Sequence, residues 1–195
     1  MKVARPYTMT ARAASTVRTG ERILEATKEL FLSKAIAEIA LADVADRAGV
    51  TVQTVLRRFG DKDSLFATAA AHYFAEVQAQ RGQAVPNVLD DVVANLLEHY
   101  ENWGPVMLKM LGEQAASPAI RDVTASGKDY HRRWCETVFS DTLANLSKAD
   151  RTRRLAQLVA ICDLRTWELL RISSDLSRSQ TERALHEMLQ PLTKD

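Results

Sequence analysis

The 195-residue sequence is short of cysteine, of long apolar runs and of strand-like alternation, and each shortage removes a class of protein. Two cysteines, Cys135 and Cys162, are too few and too far apart for a disulfide framework, which suits a reducing compartment. No segment reaches about eighteen apolar residues without charge, so no membrane helix is expected. The first seventeen residues hold Lys2, Arg5 and Arg12 and no acidic residue, yet they lack the continuous apolar core of a signal peptide. A soluble cytoplasmic protein is the expectation. The sequence offers no convincing nucleophile–base pair, phosphate loop or metal set, so no enzyme, cofactor or metal is expected. His131 and Cys135 stand four apart, the spacing of a metal-ligand pair, but two ligands do not make a site.

Charge is present but unevenly placed. Residues 1–60 hold ten Lys or Arg against six Asp or Glu, a net of +4, while the remainder holds sixteen against nineteen, a net of −3. A basic amino-terminal part beside a mildly acidic remainder fits a head that meets DNA on a body that does not. Residues 1–17 read as a flexible basic arm.

The most informative stretch is Leu41 to Phe59. Val44, Ala45 and Ala48 lie three and four apart, as one apolar helical face requires. Gly49 can enter the left-handed region and end that helix, and Val50 can plug the angle that follows. Thr51 can cap a second helix through its hydroxyl. In that helix Val55 and Phe59 point inward, leaving Gln53, Thr54, Arg57 and Arg58 outward. This is a helix-turn-helix arrangement over about 41–59, whose second helix enters the major groove. Upstream, Ile23, Ala26, Leu30 and Phe31 form the inner face of another helix. Downstream, Gly60 ends one helix and Asp61 caps the next.

Taken together, residues 18–66 resemble the DNA-binding domain of the TetR family of bacterial transcriptional regulators. The resemblance rests on Ile23-Leu24-Glu25-Ala26, Leu30-Phe31, Asp43-Val44-Ala45, Ala48-Gly49-Val50-Thr51, Thr54 to Phe59, and Lys62. Four departures stand beside these matches. Ala35 and Ile36 replace the usual glycine and aromatic after the first helix. Ala40 replaces the threonine cap of the second, at a local cost of about 1 kcal/mol. Leu56 stands for the usual tyrosine of the recognition helix, and Arg58 for its histidine neighbour.

Residues 67–195 read as helical throughout. Asn87 with Asp90 opens one helix after Pro86; Gly104-Pro105 is expected to break the chain, leaving a short Met-rich piece at 106–111. Ser117-Pro118 starts a long helix carrying Ile120, Val123, Tyr130, Trp134, Val138 and Phe139. Ser147 with Asp150 opens the next, and Ser177 with Gln180 the last, which is expected to stop at Pro191. A helix at about 150–173 is apolar nearly all round, which implies burial on more than one side. One side can face its own core and the other a second subunit.

The expectation is therefore an all-α protein of about nine helices. An amino-terminal three-helix helix-turn-helix domain is followed by a helical effector-binding and dimerisation domain. By the resemblance, the last two helices pair with a partner's into a four-helix bundle, and a ligand among the central helices spreads the two heads and releases an operator. Thr51, Thr54, Arg57 and Lys62 are candidate phosphate contacts; Gln53 can read adenine, Val52 can touch a thymine methyl, and Arg58 suits either task. Ligand candidates are Trp103, Met107, Met110, Tyr130, Trp134 and Cys162, with His99 and His131 as polar anchors. Dimer candidates are Leu155, Val159, Trp167, Leu170, Leu185 and Met188. The expected partners are duplex DNA carrying an inverted repeat, a second copy of the chain and an unidentified small-molecule effector. The rival reading is a helical small-molecule carrier or partner-binding module that has lost DNA binding.

Overall fold

The computed structural model describes residues 7–115 and 117–193, with side chains from residue 14 onward. Lys2, Arg5 and the side chain of Arg12 lie outside the described residues. The described residues form ten α-helices, with no β-strand among them. These are α1 (Tyr7–Ser33), α2 (Leu41–Ala48), α3 (Val52–Phe59), α4 (Lys62–Arg81), α5 (Leu89–Glu113), α6 (Pro118–Val138), α7 (Ser140–Ala144), α8 (Lys148–Ile161), α9 (Leu164–Trp167) and α10 (Arg178–Thr193). A 3-10 turn at Ile36–Glu38 precedes α2, and a π-helical segment, Glu168–Ser173, continues α9. Residues 7–17, expected as part of the arm, belong to α1. No described helix is long and apolar enough to cross a membrane.

The chain divides into two compact units, Met1–Tyr73 and Phe74–Asp195, a few residues beyond the boundary expected from sequence. In the first, α1 buries Ile23, Leu24, Ala26, Leu30 and Phe31 on one stripe, and α2 answers with Val44, Ala45 and Ala48. The turn sequence Ala35-Ile36 is accommodated by the 3-10 turn, whose Ile36 and neighbouring Ile39 are buried. Val55 of α3 and Leu65 of α4 close this core.

In the second unit α5 contributes Val92, Val93, Leu96, Leu97 and Tyr100 to a core shared with α6, α8, α9 and α10. The expected caps form at three helices: Ser117 accepts from Ile120 N–H, Ser147 from Asp150 N–H, and Ser177 exchanges bonds with Gln180.

Four expectations are corrected here. Gly104-Pro105 does not break the chain, because α5 runs through it to Glu113. Proline removes one backbone bond, but apolar residues on both sides of it, from Leu97 and Tyr100 to Met107 and Leu111, need one continuous rod to reach the same core. Asn87 does not cap α5; it adopts a left-handed backbone with φ 63°. Its Oδ1 instead accepts from Asp141 N–H at 3.0 Å, capping α7 across the fold. The helix expected at 150–173 is two: α8 ends at Ile161, and Asp163 caps α9 by accepting from Arg165 N–H at 2.8 Å. That break, followed by the π segment, resets the angular phase, which is why no single stripe fits the apolar residues. Finally, α10 passes Pro191 and ends at Thr193.

Candidate functional site

Helix α3 is built by local signals. Gly49 ends α2 at φ 63°, ψ 43°, a left-handed cap that glycine adopts without steric cost. Thr51 then caps α3, accepting from Thr54 N–H at 3.2 Å while its hydroxyl meets that of Thr54 at 2.9 Å. At the far end Gly60 turns with φ 83°, and Asp61 accepts from Ser64 N–H at 2.8 Å. That bond holds the Asp61 carboxyl below its usual range. Ala40 has no cap oxygen to offer, but the Asp43 carboxylate accepts from Ala40 N–H at 3.1 Å, retaining one half of a capping box.

Once α3 is fixed, its faces separate. Val55 is buried, whereas Thr51, Val52, Gln53, Leu56 and Arg57 are exposed. Neither Gln53 nor Arg57 makes a side-chain hydrogen bond or ion pair among the described residues, so both are available to an outside partner. The neighbouring acids are engaged elsewhere: Glu29 pairs with Arg47, and Asp43 lies 3.4 Å from Lys34. The Asp43 carboxyl is held low chiefly by the Ala40 N–H, then by Lys34. The outer face of α3 is thus left with a free guanidinium and a free amide.

Two candidates are placed differently from Arg57. The guanidinium of Arg58 turns back over Gly20 of α1, so close that a Cβ there would fall 2.3 Å from its Nη2. The Lys62 ammonium donates to the Ala37 carbonyl at 3.4 Å, which ties the start of α4 to the 3-10 turn.

The ligand candidates of the second unit do not form one group. Trp134 and Cys162 are core residues, and Met107 packs against that core from a half-buried position. Tyr130 sets its ring edge-on to Phe74 at 5.6 Å; Trp103 and Met110 are half-buried on α5. What the fold does assemble is a buried polar cluster around Arg81, which is 2% exposed. Its Nη2 lies 3.4 Å from His131 Nδ1, and its Cζ sits 3.7 Å over the Trp134 ring. Arginine can only donate, so Nδ1 of His131 accepts and the ring proton sits on Nε2, facing the Val159 carbonyl at 3.1 Å. His99 is 1% exposed, and burial above all, then the charge of Arg81, pushes it down to about 2. The Cys135 thiol, 3.9 Å from His131, is pushed down first by its hydrogen bond with Cys162 and then by His131 and Arg81, while Cys162 is pushed up by the same hydrogen bond and by burial. Sequence reasoning missed Arg81, since nothing around residues 80–84 marks a buried cation. A separate cleft of about 430 Å³, lined by Leu89, Asp90, Phe139, Asp141, His186 and Gln190 among others, contains none of the expected ligand residues.

The dimer candidates also need correction. Leu155, Trp167 and Leu185 are 2%, 4% and 1% exposed within their own subunit and leave no surface for a partner to cover. Trp167 is held over Gly104, and Arg171 pairs with Glu101 at 3.0 Å, fixing this region to α5. Val159 and Leu170 are half-buried, and Met188 is exposed. The exposed apolar side chains of the π segment, Leu169 and Ile172, are not apparent from sequence because the phase shift at Asp163 hides them.

Residues 23–69 match the family of bacterial regulatory proteins designated tetR. The chain is 30% identical over 115 residues to the HTH-type transcriptional regulator AlkX of Mycobacterium tuberculosis. That match takes in 59% of this chain and 49% of AlkX, so the chain spans about half the length of the curated relative it matches. In fold it is similar to a transcriptional regulator of Rhodococcus sp. Rha1, with a TM-score of 0.69 at 21% identity over 89% of this chain and 95% of that one. The fatty acid degradation regulator FadR of Bacillus halodurans shares the fold over 98% of this chain and 97% of its own, with a TM-score of 0.57 at 12% identity.

Proposed function

This chain belongs to the TetR family of bacterial regulatory proteins, and we propose that it is a ligand-responsive repressor that binds an inverted-repeat operator as a homodimer. The observation that carries the DNA role is the outer face of α3, where Gln53 and Arg57 are exposed and unpaired beside a hydroxyl-capped helix start. Arg57, with Thr51 and Thr54 at the helix start, grips phosphate; Gln53 reads a base edge, and Val52 meets a thymine methyl. Arg58 and Lys62 reach phosphate only after leaving their contacts at Gly20 and Ala37. Such a protein works beside the chromosome, in the cytoplasm.

The homodimer is supported by Leu169, Ile172 and Met188, which are 60%, 53% and 41% exposed. Apolar side chains of this size left in water favour association. Two recognition helices on one dimer meet two half-sites, hence the inverted repeat. An effector in the second unit releases DNA by favouring a spread state, with a coupling of about 1–3 kcal/mol.

Selection of bound sequences from a random duplex pool, followed by gel-shift titration across salt, tests this reading. Arg57→Ala is expected to weaken binding to all sequences and lower the salt slope by about one unit. Gln53→Ala is expected to relax the preference at one base pair, worth about 1–3 kcal/mol. Ile172→Glu is expected to shift the protein from dimer to monomer in analytical ultracentrifugation. Exposed Leu56, where the family has tyrosine, favours the carrier reading; the absence of any DNA complex at low ionic strength would overturn the DNA role.

A further inference from the structure

We infer that the interior of the second unit recognises a small organic carboxylate through Arg81. This deepens the effector role proposed above and rests on it. Arg81 sits in the last turn of α4, almost wholly buried, and none of the ion pairs among the described residues includes it. Its Nη2 meets the His131 ring, which carries no negative charge, and its flat face lies on Trp134. Its Nε–H has no hydrogen-bond partner among the described residues.

Removing a guanidinium from water without a counter-charge is strongly unfavourable, and buried cations are ordinarily paired. The fold surrounds this one with groups that do not neutralise it. His99 is kept neutral, and burial pushes the Tyr100 hydroxyl above its usual range.

The unused hydrogen-bonding capacity gathers in the same part of the chain. Gln80 and Asn95 clamp α4 to α5, each amide nitrogen donating to the other residue's backbone carbonyl, at 3.0 and 2.8 Å. Their side-chain oxygens are left without partners, as is Nδ1 of His99, one turn beyond Asn95. Of these orphaned atoms the two amide oxygens only accept and are not satisfied by a carboxylate; Arg81 Nε–H, and Nδ1 of His99 when protonated, are the donors it can use. A carboxylate supplies the missing charge and accepts from Arg81 Nε–H. His99 can add a second donor when its proton is on Nδ1. The Trp134 ring under the guanidinium, part of the apolar core, calls for an apolar or aromatic body on the ligand.

The test compares matched probes on the full-length protein by isothermal titration calorimetry: octanoate against octanol, and benzoate against benzamide. At least one carboxylate is expected to bind about tenfold or more tighter than its neutral counterpart, as a charge-assisted bond implies. Arg81→Met is expected to abolish that preference. Failure of both carboxylates to bind, equal or tighter binding of both neutral probes, or a preference that survives in Arg81→Met overturns the assignment. The wild-type comparison decides alone if Arg81→Met does not fold. Gel-shift titration separates the two levels of the proposal. A carboxylate that binds yet leaves the DNA complex intact overturns induced release and keeps this site. A neutral ligand that binds and displaces DNA, while both carboxylates fail to bind, overturns this site and keeps induced release.

Discussion

The two units of this chain contrast in how their structure is specified. In the first, the turn is fixed by residues adjacent to it: Gly49 by its left-handed backbone, Thr51 by its cap, Gly60 and Asp61 by the same pair of devices at the far end of α3. In the second, the decisive contacts join residues far apart in sequence. Asn87 caps α7 rather than its own helix, and Trp167 closes over Gly104. The lesson is that a helix end can be local chemistry in one part of a protein and tertiary packing in another.

Several substitutions sharpen that contrast or break it. The largest expected effect is in the packed core of the second unit. Leu158 is fully buried, and Leu158→Ala is expected to cost about 2–5 kcal/mol in urea unfolding, through lost burial and the cavity left behind. Next is Gly104→Ala, whose new Cβ would lie 2.5 Å from Cζ3 of the buried Trp167. Overpacking of this kind costs about 1–3 kcal/mol, against a small gain in helix propensity. A stabilised Gly104→Ala protein would show that the ring yields, and that the continuity of α5 has another source.

The third effect follows pH. His99 has an ordinary value of 6.5 and is pushed down to about 2 in the fold. Below pH 6.5 the unfolded chain therefore takes a proton that the folded chain refuses. Stability falls as pH falls through this window, by at most about 1.4 kcal/mol per pH unit. Urea unfolding from about pH 7 to about pH 5 measures the slope, and His99→Gln is expected to flatten it. The smallest effect is in the first unit. Gly49→Ala meets no atom within 4 Å but must hold φ 63°, a strain of about 1 kcal/mol. If Gly49→Ala proved costlier than Gly104→Ala, the contrast between local and tertiary specification would fail.

Much of the candidate DNA interface is legible in the sequence. The inward Val55 and the outward Gln53 and Arg57 follow from helical spacing alone. Arg58 is not separable from Arg57 by spacing, because its direction depends on Gly20 leaving room on another helix. In the second unit the caps at Ser117, Ser147 and Ser177 are legible, whereas the partition of apolar residues between core and surface is not. Leu155 looks like Leu169 and Ile172 in sequence; only the break at Cys162-Asp163 sorts them.

The sequence by itself determined an all-helical chain and the positions where most of its helices begin, because propensity, capping and periodicity act over a few residues. Tertiary structure alone decided that Pro105 stays inside a helix, that Leu169 and Ile172 face outward, and that Arg81 is enclosed with no ion-pair partner among the described residues. Those outcomes depend on what packs against each residue, and a distant partner leaves no mark on its neighbours in the chain.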